Sequence, residues 1–382
     1  MRVLFVGAGS PAIVFGLVPL ANALRSNGHE VLAAVNRPSV PIAAGAGMPA
    51  VAMVEHDIWH YVWQDRAGNE RTFVEGYREE LEFTGGWFAH LGADGYEYLR
   101  ALTEHWRPDL VVGGRMCYAA PLLAARLGVP HVQVAWDSGD WPWTDEGARP
   151  VLAPELQELG LADLPAPDVR IEICPPALRA PDDGATLMRW TPGNLQKEVE
   201  PWMVTPPARP RVCLTAGSRA SEERSLDFLL AAVESLRVLD VEIVIPAPEE
   251  LAAALRERVP DDVRTGWVPL DVLMPTCSLV VHHAGGATTM TAVDAGVPQL
   301  AIPETVAFGP PVQRLADYGA AIVLSAADAT AEAVAAACGT LLTDEGYRER
   351  ARQLAGQLHG LPTPFEIVPQ LEKLVSESAG DV

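Results

Sequence analysis

Short apolar runs alternate with helix-spaced apolar positions through the first third of the chain. Val3-Leu4-Phe5-Val6 is followed by a helical spacing over 17–25 that ends near Gly28, and then by Val31-Leu32-Ala33-Ala34-Val35. Unbroken apolar runs of this length suit strands buried on both faces, so a β-α-β unit with a parallel sheet is expected. Further strands are expected at 110–112, after a helix that stops before Pro108, and at 131–135. Residues 148–210 then turn Pro-rich and irregular, which marks a passage between domains. A second alternating series opens at 211–215, with a Gly-Ser turn, a helix over 221–238 and strands at 241–245, 279–281 and 299–302. Gly296 reads as the stop of a helix over 287–295.

Both halves therefore read as doubly wound α/β sheets, which bind ligands beyond the carboxyl ends of their strands. Two such Rossmann-like domains facing each other leave a cleft. A chain of 382 residues exceeds the usual size of one core, and a hydrophobic fraction of 49% can fill two. The expected division is an N-terminal domain over 1–205, joined by a terminal helix over 363–382 that crosses back to it, and a C-terminal domain over 206–362.

The formal charge of −22 argues against nucleic acid as a partner, because phosphate backbones are held by basic surface. No run of about 18 uncharged apolar residues suggests a membrane span. The N-terminus enters a glycine turn without a signal-type cleavage site. A soluble cytoplasmic protein with no membrane partner is expected. The five cysteines are odd in number and widely spaced, which fits packing residues rather than disulfides or zinc ligands. The oligomeric state stays open, a homodimer included.

Candidate chemistry concentrates at 279–289, L-V-V-H-H-A-G-G-A-T-T. A strand runs into two histidines, a small-residue turn and a helix start, which aims free backbone N–H groups, an imidazole and a hydroxyl at one point. A phosphate or diphosphate needs that set. His283, Gly285, Gly286, Ala287 and Thr288 are the candidates, with a capped strand-to-helix turn as the plainer alternative. Adjacent His282 and His283 point to opposite faces and do not offer a zinc pair, so no metal is expected. Gly217, Ser218 and Arg219 form a second turn with phosphate or ribose donors. Trp267 and Val268, at a loop edge, can stack and read a nucleobase, or can be core.

The segments 266–273, 282–289 and 295–300 resemble the donor-binding signature of GT-B glycosyltransferases from bacterial natural-product pathways. Members usually show H-H-G-G-x-G-T-T, so Ala284 and Ala287 are mild departures. The resemblance covers nearly the whole chain: Gly9-Ser10-Pro11-Ala12, Ala135-Trp136-Asp137, Ile173-Cys174-Pro175-Pro176 and 317–321 look most like the urdamycin and other angucycline C-glycosyltransferases. It implies a GT-B fold with an acceptor-binding N-terminal domain and a donor-binding C-terminal one. The implied reaction moves a deoxysugar from a TDP-sugar co-substrate to an aromatic polyketide in antibiotic biosynthesis, with inversion and without metal or other cofactor.

Two departures refine this. Most relatives carry a general-base histidine before the first helix, where this chain has Ile13. The base must come from elsewhere, and Asp137, at the end of an N-domain strand on the cleft side, is the candidate, with Ser10 in the first glycine turn beside it. Where relatives carry an Asp-Gln pair on the sugar, this chain has Ala307 and Phe308, so a less polar sugar pocket is expected, suited to a deoxysugar. Seven of the ten tryptophans precede residue 144, many near Gly68, Gly85 and Gly139 in text that reads as loops. Trp59, Phe83, Trp87, Met116, Tyr118 and Trp136 are expected to form a wall for a flat acceptor.

Ile13 and the resemblance favour attack through a ring carbon; attack through oxygen uses the same residues. Two rivals remain. Gly7 to Ala12 fits the permissive dinucleotide pattern G-x-G-x-x-[GA], but Asn36-Arg37 supplies no acid for a ribose. A non-catalytic partner protein on the same fold is kept alive by the missing histidine.

Overall fold

The computed structural model describes residues 1–7, 9–179, 184–218 and 220–380. Two sheets organise it. The first contains β1 (Arg2–Val6), β2 (Glu30–Asn36), β3 (Ala50–Val54), β4 (Leu110–Gly114), β5 (His131–Val134), β6 (Val169–Glu172) and β7 (Thr186–Leu187), in the order β3-β2-β1-β4-β5-β6-β7. The second contains β8 (Arg211–Thr215), β9 (Glu242–Pro246), β10 (Arg264–Gly266), β11 (Leu279–His282), β12 (Gln299–Ala301) and β13 (Ala321–Val323), in the order β10-β9-β8-β11-β12-β13. Every pairing is parallel. The apolar runs forecast this, since β1, β4, β8 and β11 are buried along almost their whole length and helices cover both faces.

The passage read as irregular is more ordered than its prolines suggest. Helix Thr144–Glu158 carries Pro150 and Pro154 within it, and β6 and β7 extend the first sheet. Tertiary packing overrides propensity here. Gly85 lies inside the 27-residue helix Tyr77–Thr103, not in a loop. A Cβ on Gly85 would strike the Thr144 carbonyl, and one on Gly147 the Glu82 carbonyl. The two helices cross backbone to backbone, and glycine is required by that approach, not by a turn.

One apolar cluster joins the halves: Val3, Leu17 and Leu24 of the first domain pack in a common core with Met290, Leu315, Leu354 and Leu371. Helix Pro364–Gly380 lies on helix Pro11–Ser26, with His29 Nε2 2.9 Å from Glu372 Oε1 and Gln370 donating to Thr186 Oγ1 at 3.0 Å. The chain thus returns to the first sheet. All five cysteines are free thiols and four are buried. Among the described residues no helix is long and apolar enough to cross a membrane, and no cluster of three His, Cys, Asp or Glu has a metal-holding arrangement.

Candidate active site

The carboxyl ends of both sheets face one cavity of about 420 Å³. Its wall on the side of the second sheet is mainly backbone and small residues. β11 ends at His282, which is fully buried; its Nε2 is 2.9 Å from Gln299 Oε1 and its Nδ1 accepts from the Ala284 amide at 3.2 Å. Burial pulls its pKa down to about 3, so it is a neutral brace for the turn. Gln299 continues the brace by donating to the Thr289 carbonyl at 3.2 Å. Ala284 follows with φ +66, the left-handed region in which the related motif carries glycine.

His283 faces the cavity between two glycines. A Cβ on Gly217 or on Gly285 would come within 2.5 Å of its ring, so both turns must be bare for the imidazole to fit. Gly217 also has φ +84, and its amide donates to Thr215 Oγ1 at 3.0 Å. Helix Gly286–Ala295 starts beside them with Gly285 as N-cap and no side-chain cap. Its first amides and the Thr288 hydroxyl therefore remain available to an anion, which the helix dipole also favours.

Asp137 meets this helix start from the other domain. A Cβ on Gly286 would collide with the Asp137 side chain. Asp137 Oδ1 accepts from the Gly139 amide at 2.8 Å and from Trp141 Nε1 at 2.9 Å. Burial pushes its pKa above the ordinary aspartate value, against the pull of Trp141, Gly139 and nearby Arg115. Its loop is clamped from both sides: Arg115 donates to the Gly139 carbonyl, while Arg314 donates to the Ser138 carbonyl and to Asp140 Oδ2, the last at 2.7 Å. A carboxyl with a raised pKa, fixed in a cleft, has the properties of a general base.

The wall on the side of the first sheet is built from large rings. Trp87 and Phe88 stack at 3.7 Å, Phe88 and Trp136 at 5.9 Å, Trp59 and Trp63 at 6.5 Å, and Phe73 meets Phe83 edge-on at 5.8 Å. All seven line the cavity, as do Met116, Ser10 and Ile13. Ile13 is buried, and its neighbours Gly9 and Gly114 leave room for it.

The structure therefore brings Ser10, Asp137, Trp59, Phe83, Trp87, Met116, Trp136, Gly217, Ser218, His283, Gly285, Gly286, Ala287 and Thr288 to one cavity. Three expected residues are not in its wall. Tyr118 is core: its ring is buried and its hydroxyl donates to Asp145 Oδ1 at 2.9 Å. Val268 packs in an apolar cluster with Val244, Leu273 and Val280. Trp267 is half-buried outside the wall, its Nε1 donating to the Leu195 carbonyl at 2.8 Å. Arg219 lies outside the described residues. The sequence reading missed Glu80, Thr84, Ser225, Glu304 and Thr305, which also line the cavity. Ala307 and Phe308 are there as expected, but the pocket beside them is not simply less polar, because Glu80 accepts the Ala307 amide at 3.1 Å. Glu80 had carried no signal, since an acidic first turn reads as a solvated helix start.

The model for the N-terminal domain of erythromycin biosynthesis protein CIII-like proteins matches residues 22–217, and that for their C-terminal domain matches 230–374. The L-demethylnoviosyl transferase of Streptomyces niveus is 36% identical over 97% of both chains. The glycosyltransferase SsfS6 of Streptomyces sp. SF2575, solved with thymidine diphosphate, is 34% identical, with 98% of this chain and 99% of that one covered and a TM-score of 0.88. The spinosyn rhamnosyltransferase SpnG, solved with spinosyn aglycone and with thymidine diphosphate, is 29% identical over 97% of this chain and 100% of its own, with a TM-score of 0.84. These are sugar transferases, which removes the dinucleotide reading; none of the three is named for a carbon-linked product. The chain belongs to the erythromycin biosynthesis protein CIII-like family and is a glycosyltransferase of the GT-B fold.

Proposed function

We propose that the protein transfers a deoxysugar, with inversion, from a TDP-sugar to a phenolic polyketide, and that Asp137 is the base. The observation that carries this is the contact of the Asp137 side chain with the first residue of helix Gly286–Ala295. The acceptor's proton leaves beside the place where the diphosphate departs. His283, Thr288 and the amides of Gly286, Ala287 and Thr288 stabilise the charge growing on the leaving diphosphate. Ser10 orients the acceptor, and Trp267, fixed by its bond to Leu195, stacks the thymine at the β10 end of the sheet. This donor set supplies the stabilisation that a divalent cation would otherwise give.

The acceptor class follows from the base. A phenol is far more acidic than an alcohol, so a buried carboxyl with a raised pKa can deprotonate it without the histidine that Ile13 replaces. The stacked rings suit a flat partner. Thymidine diphosphate bound to SsfS6 and SpnG supports the nucleotide, and the rhamnose in the name of SpnG is itself a deoxysugar. An oxygen-linked product fits these relatives better. Ile13 favours the second reading, in which the phenolate passes its charge to an ortho or para carbon and that carbon attacks. Incubation with a TDP-2,6-dideoxysugar and a panel of phenolic aglycones, followed by hot acid, tests both. A sugar released by acid marks an oxygen bond, and a sugar that survives marks a carbon bond. No product across the panel, with TDP binding intact, returns the non-catalytic partner.

A further inference from the structure

The strand order of the second sheet sets the direction in which a nucleotide sugar must lie. Strands run β10-β9-β8-β11-β12-β13, all parallel, so their carboxyl-end turns form a row. Trp267 follows β10, the 216–218 turn follows β8, the 283–288 turn follows β11 and the 304–308 segment follows β12. With the base at the β10 end and the diphosphate at the turns after β8 and β11, the sugar falls against 304–308.

That segment brings Glu304 and Thr305 to the cavity at its start, but its 307–308 end offers no polar side chain: Ala307 is buried, and Phe308 turns edge-on to Trp141 at 5.6 Å. The polar group beside Ala307 comes from the other domain. Glu80, on helix Tyr77–Thr103, is 6% exposed, lines the cavity and accepts the Ala307 amide through Oε2 at 3.1 Å. A carboxylate can accept about four hydrogen bonds, and this one has a single donor among the described residues. A buried carboxyl with so few partners keeps acceptor positions for a ligand in the cavity.

We propose that Glu80 is a specificity-determining residue for the donor: its carboxylate, anchored on the Ala307 amide, accepts a hydroxyl of the transferred sugar. The assignment rests on the TDP-sugar reading above. The acceptor domain thereby reads the sugar, and the two domains must close on each other for the reading to occur. A site built to bond a hydroxyl rejects the analogue that lacks it far more strongly than an apolar pocket rejects an added one.

The test compares a TDP-2,6-dideoxysugar with its 3- and 4-deoxy analogues at a fixed acceptor. In the wild type one deoxy analogue should lose at least about tenfold in kcat/KM relative to its parent. In Glu80→Ala that ratio should fall to within about twofold, with the acceptor KM unchanged. Glu80→Gln keeps an oxygen for the Ala307 amide and should show the same loss in smaller measure, and it carries the test if Glu80→Ala does not fold. A uniform fall for all donors, or a rise confined to the acceptor KM, overturns the proposal in favour of an interdomain clasp or an acceptor contact. Calorimetric titration separates this from the proposed function. If TDP does not bind the wild type, the nucleotide-sugar reading fails. If TDP binds wild type and Glu80→Ala alike, but the TDP-2,6-dideoxysugar binds both with the same advantage over TDP, only the Glu80 assignment fails.

Discussion

The two walls of the cleft are made of opposite materials. The donor wall is backbone, with glycines at 217, 285 and 286, a helix start without a side-chain cap and one imidazole held between bare turns. The acceptor wall is side chain, with stacked rings from four separated stretches of the first domain. A diphosphate presents the same oxygens whatever sugar it carries, so a site for it can be fixed in main-chain geometry, which tolerates little change. An aglycone varies in outline, and large side chains can be exchanged without disturbing the sheet. One wall is therefore written in consecutive residues and the other is assembled from distant ones.

The junction of the walls should be the most sensitive point. Asp137→Asn keeps an oxygen for Gly139 and Trp141 but cannot take a proton, so kcat should fall by about 10² to 10⁴ with TDP affinity retained. Wild-type kcat/KM should rise with pH through a midpoint above the ordinary carboxylate range, since burial raises the Asp137 pKa. Stability should move the other way. A raised folded pKa means that ionisation is resisted in the fold, so the wild type loses stability as pH climbs from the unfolded-state value through the folded one. Asparagine has no such loss, and melting curves between pH 4 and 8 should show the variant gaining on the wild type as pH rises. Equal pH dependence of both would remove the buried charge from the account.

Next in size is a crossed pair. Gly285→Ala pushes into the His283 ring and should weaken TDP binding by about tenfold, roughly 1.4 kcal/mol, while leaving the acceptor KM alone. Trp59→Ala should raise the acceptor KM by about tenfold through lost ring contact and leave TDP affinity alone. Titration of TDP and steady-state kinetics on both variants decide it, and a shared effect would mean that the walls are not separable. The smallest effect concerns the one strained residue of the donor turn. Ala284→Gly relieves a left-handed alanine and should raise stability, by at most about 1 kcal/mol because glycine is also freer when unfolded. Thermal unfolding reads it.

The site was legible in proportion to its use of contiguous chain. The 283–288 turn could be read directly because strand, turn and helix start are local, and the glycine at 217 followed the same logic. Tyr118 was assigned to the acceptor wall because an aromatic near a strand end reads alike whether it faces a ligand or the core; only the bond to Asp145 separates the cases. Gly85 read as loop because a glycine required by helix crossing has the same letter as one required by a turn. Trp267 and Val268 sat at the right loop, yet which side chains reach the cavity depends on how the linker around Leu195 packs.

By itself the sequence determined two parallel sheets, the cleft between them and a bare small-residue turn into a helix start after β11, because period, turn residues and helix starts are properties of neighbouring positions. Only the tertiary structure decided that Asp137 lies against Gly286 and that Glu80 reaches the Ala307 amide. Those contacts join residues more than a hundred positions apart, on separate domains, and their existence depends on the angle at which the two sheets pack. No local pattern encodes that angle; the shared core of Leu17, Met290, Leu315 and Leu371 sets it.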